Sequence, residues 1–592
     1  MGKRTRTKPS EQESKAPRSK TDWIARPWLQ LTALFALCFV VYGNALSGEF
    51  VWDDQTQIVR NETIHSLDNI PKAFTMPLWA FVESSSTRVN RYYRPLQNVI
   101  FTLTYQIDGL SPRIFHLVNV VLHALACVLV FLICREMGLS NLACLVAAAV
   151  FAVHPIHSEA VAWISGLGEV MCGLFYFAAV WMFMRYLNSR NVVWTATSGV
   201  CFFLALLSKE MAATFPIVAA LILAMQWKER KLSLKSAIAG IAPSLFVLVL
   251  YGVLRFSVLG FNVPSTFEDH PGVFDWLTFG IWIFARYVRY ALVPYPLAVF
   301  HPSPLFFSDR IVSTVLSALL IAVVGLLFWY WRKTDRTGLW WFAMFAVMLG
   351  PVFYFKGITG GSIFAERYLY IPTLAFVLLF VLFWQRLGRT AAMVSAIAVI
   401  ATFSTMTMIR NLDWDHDEVL YRSSLDVYPQ NIYAWLSLGR TYLNAENYAE
   451  AQICLEKAES YVDDRSFVHS HGEQYQLELE LGTLAAKQSR SAEAKRHLNK
   501  AVSMYPEIGS AYTILGGVLM NLDRDFSGAV PILEKAIELS PADDQARDSM
   551  GVALYNLRRF DESVEYFREA TRINPGSELA QRHLETALKH VR

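Results

Sequence analysis

The stretch at residues 27–54, "PWLQLTALFALCFVVYGNALSGEFVWDD", decides the class of fold. Residues 27–46 contain no charged side chain, and about 20 such residues are what a helix needs to cross a bilayer. Two adjacent carboxylates, Asp53 and Asp54, follow where the chain leaves the apolar run. The stretch therefore predicts a membrane helix that leads into a loop with paired acids.

The same kind of apolar run recurs along the chain. Of the 592 residues, 54% are hydrophobic and 17% charged, whereas soluble domains have roughly 25% charged residues. We predict an all-α, polytopic membrane bundle of about eleven spans, at 27–46, 114–134, 139–153, 170–187, 192–208, 211–227, 236–257, 311–331, 339–355, 369–385 and 390–408. The predicted domains are a disordered cytoplasmic N-terminus (1–26), a transmembrane domain (27–409) with a large loop (47–113), and a C-terminal domain (410–592).

The charge of the connections predicts the orientation. The basic stretches "RYLNSR", "KERKLSLK", "WRKTDR" and "QRLGR" fall on one side together with the N-terminus if 276–293 does not cross the membrane. Arg286 and Arg289 interrupt that segment, so we predict an interfacial helix there. Basic connections are typical of the cytoplasmic side. The loop 47–113 and the C-terminal domain would then share the exoplasmic side.

The C-terminal domain repeats at a helical-hairpin period. Residues 435–458, "WLSLGRTYLNAENYAEAQICLEKA", have the small and aromatic positions of a tetratricopeptide repeat. Glycines and prolines continue the pattern at intervals of 34 or 35 residues, at Gly482, Gly516, Gly551, Pro506, Pro541 and Pro575. We predict an exoplasmic α-solenoid of four repeats, preceded by a half-repeat at 411–430 and ended by a capping helix. Such arrays usually bind proteins or extended peptides; a packing spacer without a ligand is the alternative.

Asp53 and Asp54 are the candidate catalytic residues. Because neighbouring side chains point in different directions, both cannot face one reacting atom equally well. We expect one general base and one residue that orients the loop or the substrate. The competing interpretation is a helix N-cap, a position that Asp favours.

Three cations in the predicted exoplasmic loops are candidates for binding a phosphate: Arg94 in "NRYYRPLQN", Lys209 in "SKEM" and Arg367 in "FAERYLYIP". Arg offers paired donors and Lys a compact charge to a phosphate. The alternative for Lys209 and Arg367 is a pair of interfacial anchors with their sequence neighbours, Glu210 and Glu366.

The stretch "HPIHSEAVAW" adds His154, His157 and Glu159 as candidate substrate-binding residues, and Glu210 and Glu366 beside the cations are candidates as well. The spacing within this stretch suggests zinc ligands, but Pro155 disrupts the helix that would align them. Hydrogen-bonded loop histidines are the favoured interpretation, so no metal site is indicated. Six of the seven cysteines lie in or beside apolar runs, where buried packing is expected.

Several motifs of enzymes and cofactor sites are absent from the sequence. It has no P-loop, no GxGxxG motif after a strand and no GxSxG motif. No basic stripe indicates nucleic acid. An enzyme without these nucleotide-binding motifs, whose acidic residues face the exoplasmic side, needs an activated substrate that is already in the membrane.

The motifs "FVWDD", "YYRPLQNVIF", "FHLVNVVLHAL", "FAVHPIHSEAVAWISGLGE", "SKE" and "FAERYLYIP", followed by the repeats, closely resemble the transmembrane and tetratricopeptide repeat-containing protein family. The resemblance covers residues 27–592. It implies a GT-C-type, inverting glycosyltransferase that moves a sugar, typically mannose, from a polyprenyl phosphate to a hydroxyl of a protein acceptor on the exoplasmic side.

The resemblance also implies roles and a location. It makes the Asp53-Asp54 motif the source of the proposed base, with Asp53 preferred, and matches Arg94, Lys209 and Arg367 to family positions. Leu167 departs from the pattern, where a polar residue is expected. Metal use varies in this class, so a divalent metal stays open. The short array favours a bacterial relative in the plasma membrane; a eukaryotic source would imply the endoplasmic reticulum membrane.

Two other functions fit the sequence. The first is a non-catalytic, membrane-anchored scaffold whose repeats recruit exoplasmic partners, although eleven spans with polar loops exceed what an anchor needs. The second, a transporter, fits less well because no inverted repeat of broken helices is visible.

Overall fold

The computed structural model describes residues 27–80, 92–227, 230, 232–260, 273–301, 307–331, 337–353, 364–462 and 471–591. Within these ranges the regular secondary structure is entirely helical, which confirms the predicted all-α class. The N-terminal segment 1–26, predicted to be disordered, lies outside the described residues.

The N-terminal part contains fifteen α-helices among the described residues: α1 Pro27–Tyr42, α2 Ile70–Ala73, α3 Pro95–Asp108, α4 Pro112–Glu136, α5 Asn141–Ala152, α6 Ser158–Val161, α7 Leu167–Ser189, α8 Val193–Ser208, α9 Phe215–Gln226, α10 Leu234–Leu259, α11 Val273–Leu292, α12 Phe307–Trp331, α13 Thr337–Met348, α14 Thr373–Trp384 and α15 Arg389–Asn411. Each of the eleven predicted apolar runs forms one of these helices. One large apolar core joins α1, α4, α5, α7, α8, α9 and α14.

The predicted number of eleven spans is not confirmed. In the described part of the chain, five helices are long and apolar enough to cross a membrane, or six if the bent pair α5–α6 counts as one. Other apolar helices are shorter, such as the 12-residue α9, α13 and α14, about 18 Å at 1.5 Å per residue. The chain is therefore a multi-pass membrane protein whose exact number of crossings stays a prediction.

The bend between α5 and α6 brings a polar segment into the protein. The axes differ by 49° across the break after Ala152. Pro155, which lacks a backbone N–H and cannot continue a helix, begins a 3₁₀ turn at Pro155–His157. The chain then returns through α6, and Glu159 is completely buried. The polar stretch 154–161 consequently packs inside the bundle.

The end of α11 lies at the face of the bundle that carries the repeats. The Arg286 guanidinium donates to the Tyr428 hydroxyl at 2.8 Å, and Tyr428 directly follows the first helix of the C-terminal domain. The connection 261–272 before α11 lies outside the described residues. The interfacial placement of 276–293 therefore stays a prediction.

The C-terminal domain is an array of helical hairpins. Its helices are α16 Asp417–Val427, α17 Ile432–Asn444, α18 Tyr448–Val462, α19 His471–Lys487, α20 Ser491–Met504, α21 Gly509–Asn521, α22 Phe526–Leu539, α23 Asp544–Asn556, α24 Phe560–Ile573 and α25 Glu578–Leu588. Helices α17 to α24 pack as consecutive pairs, α16 precedes them and α25 follows. In the described ranges, four helix pairs thus lie between one preceding and one following helix; the assignment of those two helices as half-repeat and cap stays a prediction.

The first repeats are joined to the membrane part by a shared apolar cluster. It contains Val51, Trp163 and Phe300 from the membrane part together with Trp414, Leu420 and other residues of the array. The array is therefore packed against the loops at the end of the bundle rather than linked to it by the chain alone.

The repeated glycines allow the two helices of each hairpin to approach closely. A Cβ on Gly516 would lie 2.6 Å from a Leu533 methyl carbon, and one on Gly551 would lie 2.6 Å from the Phe567 ring. Contacts below 3.0 Å force a neighbour to move. Glycine is thus required by packing at these positions, as the repeat pattern predicts.

Replacing Gly516 by alanine should destabilise the α21–α22 hairpin. Overpacking of this kind typically costs about 1–3 kcal/mol, more than the roughly 1 kcal/mol that alanine contributes to a helix relative to glycine. Gly517→Ala is the matched control because nothing lies within 4 Å of its added Cβ. Hydrogen–deuterium exchange of residues 511–537 should become faster in Gly516→Ala only. Equal exchange in both variants would contradict the packing account.

Candidate active site

Asp54 is a buried residue that fastens the loop after α1 to the turn before α7. One carboxylate oxygen accepts the Val51 N–H at 3.1 Å, and the other accepts both the Ser165 N–H at 2.8 Å and the Ser165 hydroxyl. Burial raises the pKa of Asp54 to about 8, although the Ser165 and Val51 donors oppose the shift. The side chain makes no capping bond to the π-helical turn Gln55–Val59 that follows it, so the N-cap interpretation does not describe it.

The Asp53 carboxylate accepts none of these three hydrogen bonds. Its side chain is half-buried. No hydrogen bond from the described residues shifts the pKa of its carboxyl group. Burial raises the pKa of Asp53 to about 6, while the positive charges of Arg367 and Arg94 lower it. Asp53 is therefore the carboxylate of the pair that interacts with cations rather than with hydrogen-bond donors.

The three predicted cations lie near one another, each beside a carboxylate, and two of them, Arg367 and Arg94, also lie near Asp53. Arg94 makes a two-point contact with Glu210 at 2.7 and 3.2 Å. Lys209 pairs with Glu169. Arg367 pairs with Glu159 through its side chain and its backbone N–H, and its Nε lies 3.3 Å from Glu169. We call these six residues the charged cluster. Buried charges are stable only when paired, which accounts for the alternation of sign.

The pairing corrects the predicted anchor pairs. Lys209 bonds to Glu169 rather than to its neighbour Glu210, and Arg367 bonds to Glu159 rather than to Glu366. Adjacent side chains diverge from one backbone, so a sequence neighbour is a poor partner. Glu169 is not among the site residues predicted from the sequence. The sequence indicates it only as an acidic residue directly before the apolar run 170–187.

A small, partly open pocket lies beside the charged cluster. Its lining combines charged residues with apolar ones, in the set Glu169, Cys172, Lys209, Met211, Arg367, Tyr368, Tyr370 and Ile371. The Tyr368 ring lies under both cations, 5.0 Å from the Lys209 ammonium and 5.3 Å from the Arg367 guanidinium. The pocket thus offers cations and apolar surface side by side.

Glu366 belongs to a second network. Its carboxylate accepts the Ala298 N–H at 2.6 Å and lies 3.2 Å from the His301 ring nitrogen and 3.4 Å from Arg410. His301 in turn contacts Arg286 at 2.9 Å. Burial raises the pKa of Glu366 to about 7, and Arg410 lowers it. Glu366 therefore links α11, α15 and the loop before α12, and does not join the charged cluster.

His154 and His157 are packed inside the bundle. The His154 ring bonds to the Ala291 carbonyl at 3.0 Å and accepts the Ile156 N–H at 3.3 Å, which agrees with a hydrogen-bonded loop histidine. The His157 ring packs against Phe151 and Tyr370 at 4.4 and 4.8 Å. In the described ranges, no hydrogen bond, ion pair or ring contact joins either histidine to Asp53 or to the three cations.

Metal-ligating side chains approach one another inside the bundle, at Cys38, His123 and Cys127. Both ring nitrogens of His123 have other partners, the Tyr370 hydroxyl at 2.8 Å and the Ala152 carbonyl at 3.0 Å. Hydrogen bonding therefore accounts for this histidine without a metal. The seven cysteines are free. Of the six in or beside apolar runs, five are buried and Cys201 is partly exposed, whereas Cys454 of the repeat domain is buried.

The sequence matches known families in both parts. Residues 94–254 match the family described as dolichyl-phosphate-mannose-protein mannosyltransferase. Residues 432–461, 479–544 and 523–578 match tetratricopeptide repeats. The chain carries a mannosyltransferase domain and tetratricopeptide repeats. The matched mannosyltransferase region begins at Arg94 and includes Glu159, Glu169, Lys209 and Glu210.

Individual relatives agree with the family matches. The chain is 24% identical to the protein O-mannosyl-transferase TMTC3 of Homo sapiens over 93% of its own length and 68% of that protein. It is 35% identical to Tmtc1 of Drosophila melanogaster over 31% of its length and 21% of that protein. Among solved structures, the tetratricopeptide repeat protein YrrB is 21% identical, with a TM-score of 0.23, over 31% of this chain and 89% of that one.

These comparisons confirm the resemblance to the transmembrane and tetratricopeptide repeat-containing family and the expectation of a glycosyltransferase. The chain spans about two thirds of the length of TMTC3, 68% of the human and 64% of the Mus musculus protein.

Replacing the two aspartates separately should distinguish their structural roles. Asp54→Ala leaves the Val51 N–H and the Ser165 N–H and O–H without their acceptor, and each unsatisfied buried group costs about 1–3 kcal/mol. We expect its apparent melting temperature in detergent to fall by several degrees. Asp53→Ala, which removes no hydrogen-bonded acceptor, is the matched variant and should melt like the wild type. An equal fall in the melting temperature of both variants would contradict the different structural roles of the two aspartates.

Proposed function

We propose that the chain is a membrane protein O-mannosyltransferase that takes its sugar from a polyprenyl-phosphate donor. The observation that carries the proposal is the position of Asp53, a half-buried carboxylate near Arg367 and Arg94 and beside the first repeat helices. The mannosyltransferase family match and the names of the TMTC relatives support mannose and a protein acceptor.

The proposed reaction uses Asp53 as general base. Its carboxylate accepts the proton of an acceptor hydroxyl, and the hydroxyl oxygen attacks C1 of the sugar. The bond between C1 and the phosphate oxygen breaks, and its electron pair leaves with the polyprenyl phosphate. One displacement inverts the configuration at C1. Asp54 contributes by holding the loop, since its acceptors are already used by Val51 and Ser165.

The charged cluster is the proposed site for the donor phosphate. On departure the phosphate gains a negative charge, which cations in a dry site stabilise more strongly than water-exposed ones do. Arg94, Lys209 and Arg367 are all paired in the described structure, so the phosphate would share them with Glu210, Glu169 and Glu159. Met211 and Ile371, which line the adjacent pocket, offer apolar surface for the first carbons of a lipid chain.

The proposed orientation places this site on the exoplasmic side. Helix α7 has Glu169 in its first turn, and α14 begins at Thr373, shortly after Arg367. The two helices end at the basic connections "RYLNSR" and "QRLGR". By the positive-inside rule those far ends are cytoplasmic. The repeats would then present protein acceptors on the outer face of a bacterial plasma membrane, or in the lumen of the endoplasmic reticulum for a eukaryotic source.

Substitution of Asp53 by asparagine tests the proposed base. General-base catalysis typically contributes about 10²–10⁴-fold, so we expect transfer from polyprenyl-phosphate mannose to a Ser/Thr-rich acceptor protein to fall at least about 100-fold. The melting temperature should not change. Asp68→Asn, an exposed aspartate of the same loop, is the matched control and should retain wild-type activity. Undiminished transfer by Asp53→Asn would refute the assignment.

The pH dependence of transfer should report the same carboxylate. The active form is the ionised one, which predominates above the pKa of Asp53 of about 6. We therefore expect kcat/KM to fall about tenfold per pH unit below that value and to level off above about pH 7. Initial rates between pH 4.5 and 8.5 provide the measurement. A rate that is flat from pH 5 to 7 would contradict the proposed base.

A further inference from the structure

Trp52, the residue before Asp53, has an unfavourable backbone conformation. Its φ angle is +54°, in the left-handed region, which is unfavourable for an L-residue that has a Cβ. Such strain persists only where surrounding contacts impose it, and it is common at functional sites. The contacts of Trp52 therefore bear directly on the direction in which Asp53 points.

Two of these contacts come from the start of the C-terminal domain. The Trp52 backbone N–H donates to the Asp417 carboxylate at 2.8 Å, and the Trp52 indole N–H donates to the Tyr433 hydroxyl at 3.1 Å. Asp417 is the first residue of α16, and Tyr433 lies in the first turn of α17. Nearby, the Glu49 N–H donates to the Asp415 carbonyl at 2.7 Å.

Contacts from the membrane part complete the enclosure of Trp52. Its ring stacks on Trp163, with centroids 4.8 Å apart and planes at 25°, and meets the edge of Phe300 at 5.1 Å. The Arg367 guanidinium lies near both indoles, 5.8 Å from Trp52 and 5.5 Å from Trp163. The Trp52 ring is therefore held by aromatic contacts with the membrane part, whereas its backbone N–H is held by the Asp417 carboxylate.

We propose that Asp417 is a positioning residue for the transfer reaction, with Tyr433 in support: the first helices of the repeat domain hold Trp52 in its left-handed conformation, and this directs Asp53 toward Arg367 and Arg94. The inference rests on the proposed role of Asp53 as base. It makes the start of the repeat domain a part of the catalytic centre, beyond any role of the repeats in binding the acceptor.

The test compares Asp417→Ala with Asp417→Asn in the full chain. Asparagine keeps an acceptor oxygen for the Trp52 N–H, whereas alanine removes it. For Asp417→Ala we expect kcat to fall tenfold or more with an unchanged KM for polyprenyl-phosphate mannose, and for Asp417→Asn we expect most of the activity to return. Asp415→Ala is the matched control, because its side chain is half-exposed and its carbonyl bond to Glu49 is retained.

Hydrogen–deuterium exchange of residues 49–59 in the same proteins gives a readout that does not require activity. Faster exchange there in Asp417→Ala, but not in Asp415→Ala or Asp417→Asn, supports the restraint on Trp52; unchanged exchange overturns it. An active wild type with unchanged kcat in Asp417→Ala also overturns the positioning role. A wild type without transfer activity refutes the proposed function, and with it the positioning of a base, while exchange still decides whether Asp417 restrains the loop.

Discussion

The hydrogen bonds of the Asp54 carboxylate are the constraint on which the site depends. They tie the loop after α1 to the turn at Ser165, 111 residues away in sequence, through three donors in the protein interior. Because one carboxylate accepts from both segments, the loop cannot shift without leaving buried groups unpaired. With Asp54 held by these donors, the adjacent Asp53 lies near Arg367 and Arg94. The asymmetry of the two aspartates therefore follows from their sequence adjacency.

The same division occurs at the other adjacent charged pairs. Lys209 bonds to Glu169 while Glu210 bonds to Arg94, and Arg367 bonds to Glu159 while Glu366 lies with His301 and Arg410. In each pair, the two adjacent residues therefore bind different partners. The dipeptide Glu366-Arg367 is the clearest case, since one residue faces the charged cluster and the other faces the network that reaches Arg286 and, through it, the Tyr428 hydroxyl.

The repeat domain makes direct contacts beside the candidate active site. Its first helices share an apolar cluster with the ends of the membrane helices and bond to Trp52 beside Asp53. Solenoids are built from units that contact mainly their neighbours, so the first unit is the one whose neighbour is the membrane part. An acceptor protein held along the array would consequently be delivered near the proposed base.

The sequence by itself determined the all-α class, the apolar runs that became helices, the period of the repeats and the segments that carry charge, because these are local patterns of composition and spacing. Gly516 illustrates this, since a 34-residue interval was enough to predict a close helix contact. Only the tertiary structure decided the partners: Glu169 with Lys209, Ser165 with Asp54, and His154 inside the bundle. Those choices depend on which distant segments meet and on the direction of each side chain from its backbone, and neither is encoded in the local pattern.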